Sequence, residues 1–238
     1  MLRKSLVPVF ALMLAVGCSS GGGDFNLISL EEEWQLGNRL AADIEQQMTM
    51  VRDPAVNQYV SRLGQSIVNR TPMAQLPWNF HVVQNDEINA FVIPGGHVYV
   101  TTGLIKAADQ ASELAGVMAH EIAHGVERHS TEQMTRAHGL NLVASLVLGQ
   151  NPATYQAILA QVVGGGAMAS FSRDAEREAD NLAVQWLPGI GFHPEGMATM
   201  FEELLRHRQA SPNAVNRFFS SHPLTESRIR DVREQIAT

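Results

Sequence analysis

Along most of this chain apolar residues recur every three to four positions, the spacing of one helix face, and only a few short stretches alternate with the period of two of a strand. Ser29-Leu-Glu-Glu-Glu-Trp opens the first helix, with Ser29 at the N-cap and Glu32 three residues on to complete a capping box. Asp53-Pro54 caps a second one running toward Asn69, since proline suits a first turn whose N–H has no helical partner. Trp78 to Val83 then alternates like a strand. Ile88 to Ile93 and His97 to Thr101 flank Pro94-Gly95-Gly96 as the arms of a hairpin. A further apolar-periodic helix, Ser112 to His124, follows directly. From Leu140 to Ser170 the chain turns strongly apolar, but Gly149-Gln-Asn-Pro152 interrupts it, so neither half can span a bilayer and both are expected as core helices. Helices at Pro194 to Arg208 and Pro223 to Ile236 complete an α+β chain, mostly helical, with a small sheet beside the 112–124 helix. No internal repeat is evident.

The first residues follow another logic. Arg3 and Lys4 precede an apolar run, Ser5 to Val16, too short to cross a membrane, which makes residues 1–17 a secretory signal. Leu14-Ala-Val-Gly-Cys18 then has the form of a bacterial lipobox, and its cysteine is the single one in the chain, so no internal disulfide can form. Similarity to bacterial lipoproteins implies acylation of Cys18. Ser19, where an aspartate would signal inner-membrane retention, implies the outer membrane of a Gram-negative cell, facing the periplasm. Residues 18–28, with Ser19-Ser-Gly-Gly-Gly-Asp24, form a tether whose glycine-rich part spans on the order of 15 Å. Residues 29–238 then make one domain, consistent with 45% hydrophobic content. Loss of the signal removes two cations from a chain whose formal net charge is already −7, which argues against a nucleic-acid partner.

The candidate chemistry lies in the 112–124 helix. His120-Glu121-Ile122-Ala123-His124 sets two imidazoles at i and i+4, stacked on one helical face, where both can reach one metal ion. Glu121 then stands beside the metal. There a Lewis acid lowers the pKa of water while a carboxylate takes its proton, the chemistry of peptide-bond hydrolysis. A catalytic zinc needs a third protein ligand. Glu127 and Ser130 occupy the positions where a metzincin has its glycine and third histidine, so that class is excluded. The acidic run Ser172 to Asp180 offers Asp174, Glu176, Glu178 and Asp180. Glu176 and Asp180 are i and i+4 and share a face, while Glu178 lies about 200° of helical rotation from Glu176. One same-face carboxylate can bind zinc while the other accepts the outer N–H of a ligand histidine.

Four segments together, Ile88 to Leu104, His120 to His124, Ser172 to Asp180, and His222-Pro223 with Arg228, resemble the HtpX-type zinc metallopeptidases. That family also holds the CAAX prenyl peptidases and the BepA-like and LoiP-like periplasmic proteases. The resemblance implies a zincin-like metallopeptidase domain with one Zn2+, ligated by His120, His124 and Glu176, with Glu121 as general base and Asp180 behind the ligands. It places His222 near the metal, either to stabilise an oxyanion or to fill the open position and keep the enzyme latent, with Arg228 as its charged companion. It also points to Asn89, Ala90, Phe91, Val92 and Ile93 as an edge strand that could pair with an extended substrate through main-chain groups. His81, His138, His193 and His207 have no partner spacing and are expected as structural or surface residues; His97 and His129 fit either role.

These expectations converge on a lipid-anchored zinc endopeptidase that cleaves unfolded or misassembled envelope proteins, with an envelope protease or assembly machinery as a possible partner. The competing reading is a zinc-stabilised chaperone or assembly factor for outer-membrane proteins that uses the same groove without cleaving. Glu121 favours the enzyme, since holding zinc does not require that carboxylate.

Overall fold

The computed structural model describes residues 28–139, 143, 145–146, 148–164 and 170–238; the signal segment, Cys18 and most of the tether lie outside them. The helices are α1 Leu30–Gln47, α2 Pro54–Val68, α3 Thr102–Ala107, α4 Ala111–Val126, α5 His129–His138, α6 Pro152–Val163, α7 Arg173–Trp186, α8 Glu195–Ala210, α9 Asn216–Ser221 and α10 Glu226–Ile236. The strands are β1 Asn79–Val83, β2 Ala90–Ile93 and β3 His97–Thr101. The expected start signals act as read. Ser29 and Glu32 form a reciprocal capping box on α1, and the Asp53 carboxylate accepts from the Ala55 and Val56 amides at the head of α2. Three helices, α3, α5 and α9, were not expected; α3 and α9, at six residues each, are too brief to show a period.

The sheet runs β1-β3-β2. β2 and β3 are the antiparallel hairpin, with Ala90 opposite Val100 and Ile93 opposite His97, while β1 joins the other side of β3 in parallel, Asn79 opposite His97. The hairpin turn needs two glycines, since Gly95 and Gly96 take φ of 83° and 71°, where a side chain is disfavoured.

α4 lies at the centre. Leu114, Ala115, Val117, Met118, Ala119, Ile122 and Ala123 are all buried, so the helix is buried around its circumference, as a core helix must be, with His120, Glu121 and His124 among the polar exceptions. It packs on α7, α8, α2 and β2. Its contact with α8 is backbone to backbone: a Cβ added at Gly116 would sit 2.8 Å from the Met197 Cα, and one at Gly196 2.5 Å from the Ser112 carbonyl carbon. α4 therefore has no freedom to slide, which fixes the height of its histidines. A second apolar cluster joins Leu40 and Ile44 of α1, Phe91 and Tyr99 of the hairpin, and Ile158, Leu159 and Val162 of α6. α6 thus contributes one face to the core, as expected of the Leu140 to Ser170 region, and leaves others outside; Leu148 nearby is 66% exposed. No helix among the described residues is long and apolar enough to cross a membrane.

Candidate metal centre

α4 presents His120 and His124 one turn apart, with their Nε2 atoms 3.1 Å from each other. α7 crosses beneath, started by the Ser172 hydroxyl, which accepts from the Ala175 amide. The helical-face argument for this segment holds: Glu176 and Asp180 are buried on the α4 side, and the Glu178 side chain is 55% exposed. His222 arrives from the chain just past α9, its amide bonded to the Phe218 carbonyl at 2.8 Å and its extended backbone followed by Pro223.

One ligating atom from each of His120, His124, Glu176 and His222 lies within 4.8 Å of all the others. The separations are 3.2 Å from His120 Nε2 to His222 Nδ1, 3.4 Å from His124 Nε2 to Glu176 Oε1, 3.6 Å from His120 Nε2 to Glu176 Oε2, and 2.9 Å from His222 Nδ1 to Glu176 Oε1. A tetrahedral zinc with ligands at about 2.0–2.1 Å has donors about 3.3–3.4 Å apart, so the cluster has the size the ion needs. Its chemistry fits as well. His222 Nε2 and both Glu121 carboxylate oxygens are buried without a well-aligned hydrogen bond, a costly state for protein alone and an ordinary one around a cation.

Glu121 points into the same space, 3.3 Å from His222 Nε2. Burial pushes its carboxyl upward, only partly offset by the charges of His222 and His120. Burial also opposes charge on Glu176, but His222, His124 and His120 outweigh it and hold that carboxyl far below the usual carboxylate range. Burial moves His124 well down, toward the neutral form that binds metals. His222 faces the same burial, yet Glu121 and Glu176 on either side raise it.

Behind the cluster, Asp180 Oδ1 is 2.9 Å from His120 Nδ1, in contact though without the alignment of a full hydrogen bond. Arg228, expected as the charged companion of His222, lies close enough to act on its charge and shares Glu176 with it. Its Nε and Nη2 reach the two Asp180 oxygens at 2.8 and 2.7 Å, another Nη contacts Glu176, and its plane lies over the Phe201 ring. It braces the carboxylates from behind the donors.

The strand expected to meet substrate, Asn89 to Ile93, borders the cluster as an outer strand of the sheet, but it is fully buried. Phe91, Val92 and Ile93 meet Val162 of α6, Phe171, Glu121 and His222 around a space of only ≈ 10 Å³, room for about one water. The site is closed. His97 and His81 take no part: they bond to each other at 3.1 Å and to Asn38 and Glu45. His193 is exposed and His207 pairs with Glu203 on α8. Two contacts were not foreseen. Phe171 stacks on the His124 ring with centroids 4.0 Å apart, and His129 bonds to the His124 Nδ1. A phenylalanine in a low-period segment carries no signal for such a role, and His129 depends on a turn that its arginine neighbour hides.

A helix bearing the two-histidine, one-glutamate motif, crossed by a second helix that adds a buried glutamate, defines a zincin-like metallopeptidase domain. The sequence pattern of Peptidase family M48 matches residues 54–236. The chain belongs to that family, whose metal is zinc. Similar proteins include the beta-barrel assembly-enhancing protease of Escherichia coli (strain K12), 33% identical over 229 residues, 92% of this chain and 46% of that protein. The mitochondrial metalloendopeptidase OMA1 of Schizosaccharomyces pombe is 32% identical over 74% of this chain and 52% of its own length. Metalloprotease YcaL of Escherichia coli is 27% identical over 74% of this chain and 66% of its own length. The chain spans about half the length of the first two.

Proposed function

We propose that this chain is a zinc-dependent endopeptidase of the bacterial cell envelope, held to the outer membrane by a lipid on Cys18 and cleaving unfolded or misassembled envelope proteins. His120, His124 and Glu176 would hold the metal, and Glu121 is the base. When bound there, zinc supplies Lewis acidity, polarising the peptide carbonyl and making water easier to deprotonate. Glu121 takes the proton as the water oxygen bonds to the carbonyl carbon, then delivers it to the amine nitrogen as the C–N bond breaks. Its buried setting suits this, because a carboxylate stripped of solvent is a stronger base.

The observation that carries the reading is the placement of Glu121, fully buried, with neither carboxylate oxygen in a well-aligned hydrogen bond and Oε1 3.3 Å from His222 Nε2 in the donor cluster. A metal-stabilised binding module has no use for it. His222 supports a latent state, since its Nδ1 stands among the donors where a catalytic zinc keeps an open position. Substrate would enter when His222, Val162 and Phe171 withdraw, exposing residues 89–93 to a peptide strand. Envelope quality control is supported by the named activity of the Escherichia coli relative, and the lipobox supports the anchor.

The test uses the full chain in detergent with an unfolded substrate such as casein, with and without a chelator. Cleavage should need metal, and Glu121→Gln should keep zinc near one per chain while losing proteolysis. Glu176→Ala should lose the zinc itself. Undiminished cleavage by Glu121→Gln would refute the mechanism; no cleavage by the wild type in its open form would favour the binding module.

A further inference from the structure

His129 touches the donor cluster without belonging to it. Arg128, at the end of α4, takes a left-handed φ of 57°, and its Nε pairs with Glu33 at 2.6 Å. This turn lets α5 begin on His129 and brings its ring back against the last turn of α4, where it is 5% exposed. His129 Nδ1 lies 2.9 Å from His124 Nδ1, and His129 Nε2 lies 3.3 Å from Glu178 Oε2.

One proton arrangement satisfies the whole row. His124 turns its Nε2 toward the other donors, so that nitrogen must keep its lone pair and Nδ1 must carry the proton. That N–H can donate only if His129 Nδ1 is bare. His129 then carries its proton on Nε2, which donates to the Glu178 carboxylate. The opposite tautomer of His129 would set two N–H groups face to face in a buried site. Phe171 does not supply this choice. Stacking on the ring at 4.0 Å restrains its plane, but it is blind to a half-turn flip that would put Cδ2 where Nδ1 stands and Cε1 where Nε2 stands.

We propose that His129, backed by Glu178, is a positioning residue that fixes the orientation and tautomer of His124 for metal binding, as Asp180 does beside His120. The proposal rests on the metal-centre reading above. With Asp180 Oδ1 2.9 Å from His120 Nδ1, each α4 histidine then has its own polar neighbour at the outer nitrogen. It also assigns a task to Glu178, the acidic residue of α7 that helical geometry turns away from the metal. The carboxylate is half exposed, so its share is smaller than that of the buried imidazole.

The experiment measures zinc affinity of the full chain in detergent by competition with a chromophoric chelator, together with the visible spectrum of the cobalt(II)-substituted chain and thermal unfolding of the metal-free form. His129→Ala should weaken zinc binding about 10- to 100-fold and shift the cobalt bands. His129→Asn, whose Oδ1 can stand where Nδ1 stood, should restore most of the affinity. Glu178→Ala should cost about two- to fivefold in the wild-type background and nothing beside His129→Asn, because asparagine passes no N–H to that carboxylate. If the wild type holds no zinc, the metal-centre reading itself fails. If it does, and His129→Ala binds zinc as tightly as the wild type, or His129→Asn binds it as weakly as His129→Ala, the hydrogen-bond chain is overturned. Should His129→Ala not fold, the two Glu178→Ala backgrounds decide: equal losses in both, or none in either, overturn the proposal.

Discussion

Removing Arg228 tests whether the rear of the site is a true buried ion cluster. Arg228 is 5% exposed, makes two hydrogen bonds to Asp180 at 2.8 and 2.7 Å, contacts Glu176, and donates to the Pro223 carbonyl at 3.2 Å. Arg228→Met keeps much of the volume and the contact with Phe201 but strands two buried carboxylates. Deleting one partner of a buried pair costs about 3–5 kcal/mol, because the remaining charge cannot recover its water. For a domain of this size, roughly 2–4 °C per kcal/mol, the midpoint should fall by about 6–20 °C. The assay is urea and thermal unfolding of the full chain in detergent with chelator present, so that metal binding does not mask the loss. Asp180→Asn combined with Arg228→Met should recover part of the deficit, leaving Glu176 as the one stranded anion. A loss under about 1 kcal/mol, or strict additivity of the two changes, would refute the buried-cluster account.

Three further outcomes are expected. His222→Ala should raise casein cleavage on the order of tenfold if the closed arrangement holds about nine molecules in ten, while a fall in turnover at unchanged zinc content would instead give His222 the oxyanion role. Burial depresses His81 and His97 to about 4, and for His97 the neighbouring His81 adds to it. Because these folded-state values lie below the unfolded value of 6.5, the stability they confer is complete above 6.5 and is lost as the pH falls toward about 4, by roughly 3 kcal/mol per ring. Urea midpoints across that window should therefore drop less steeply for His81→Gln than for the wild type, and equal slopes would contradict the assignment. Cys18→Ser should abolish radiolabelled palmitate incorporation and release the chain from outer-membrane fractions, unless the region from Leu140 to Ser170 or a partner supplies the attachment.

Much of this protein could be read along the chain because the relevant physics is local. A helix start depends on groups three residues apart, so Ser29 with Glu32 and Asp53 with Pro54 marked α1 and α2 without tertiary information. The i, i+4 rule put His120 over His124 and separated Glu176 and Asp180 from Glu178, since helical rotation is fixed by the backbone. The order of motifs in the sequence also marked the family.

Other features belong to the tertiary structure alone. No spacing rule tells which partners a long side chain will choose across the fold, and Arg228, expected as the companion of His222, also pairs with Asp180 and Glu176, whose charges compensate for its burial. The backing of His124 by His129 required a left-handed arginine at 128, a conformation glycine would have advertised and arginine conceals. The closure of the strand from Asn89 to Ile93 by Val162 and Phe171 depends on segments more than seventy residues apart meeting over it. Local backbone geometry in the sequence determined the helices and the faces that carry the candidate ligands, and the family resemblance singled out Glu176 among them; packing at long range decided what holds those side chains in place and what covers them.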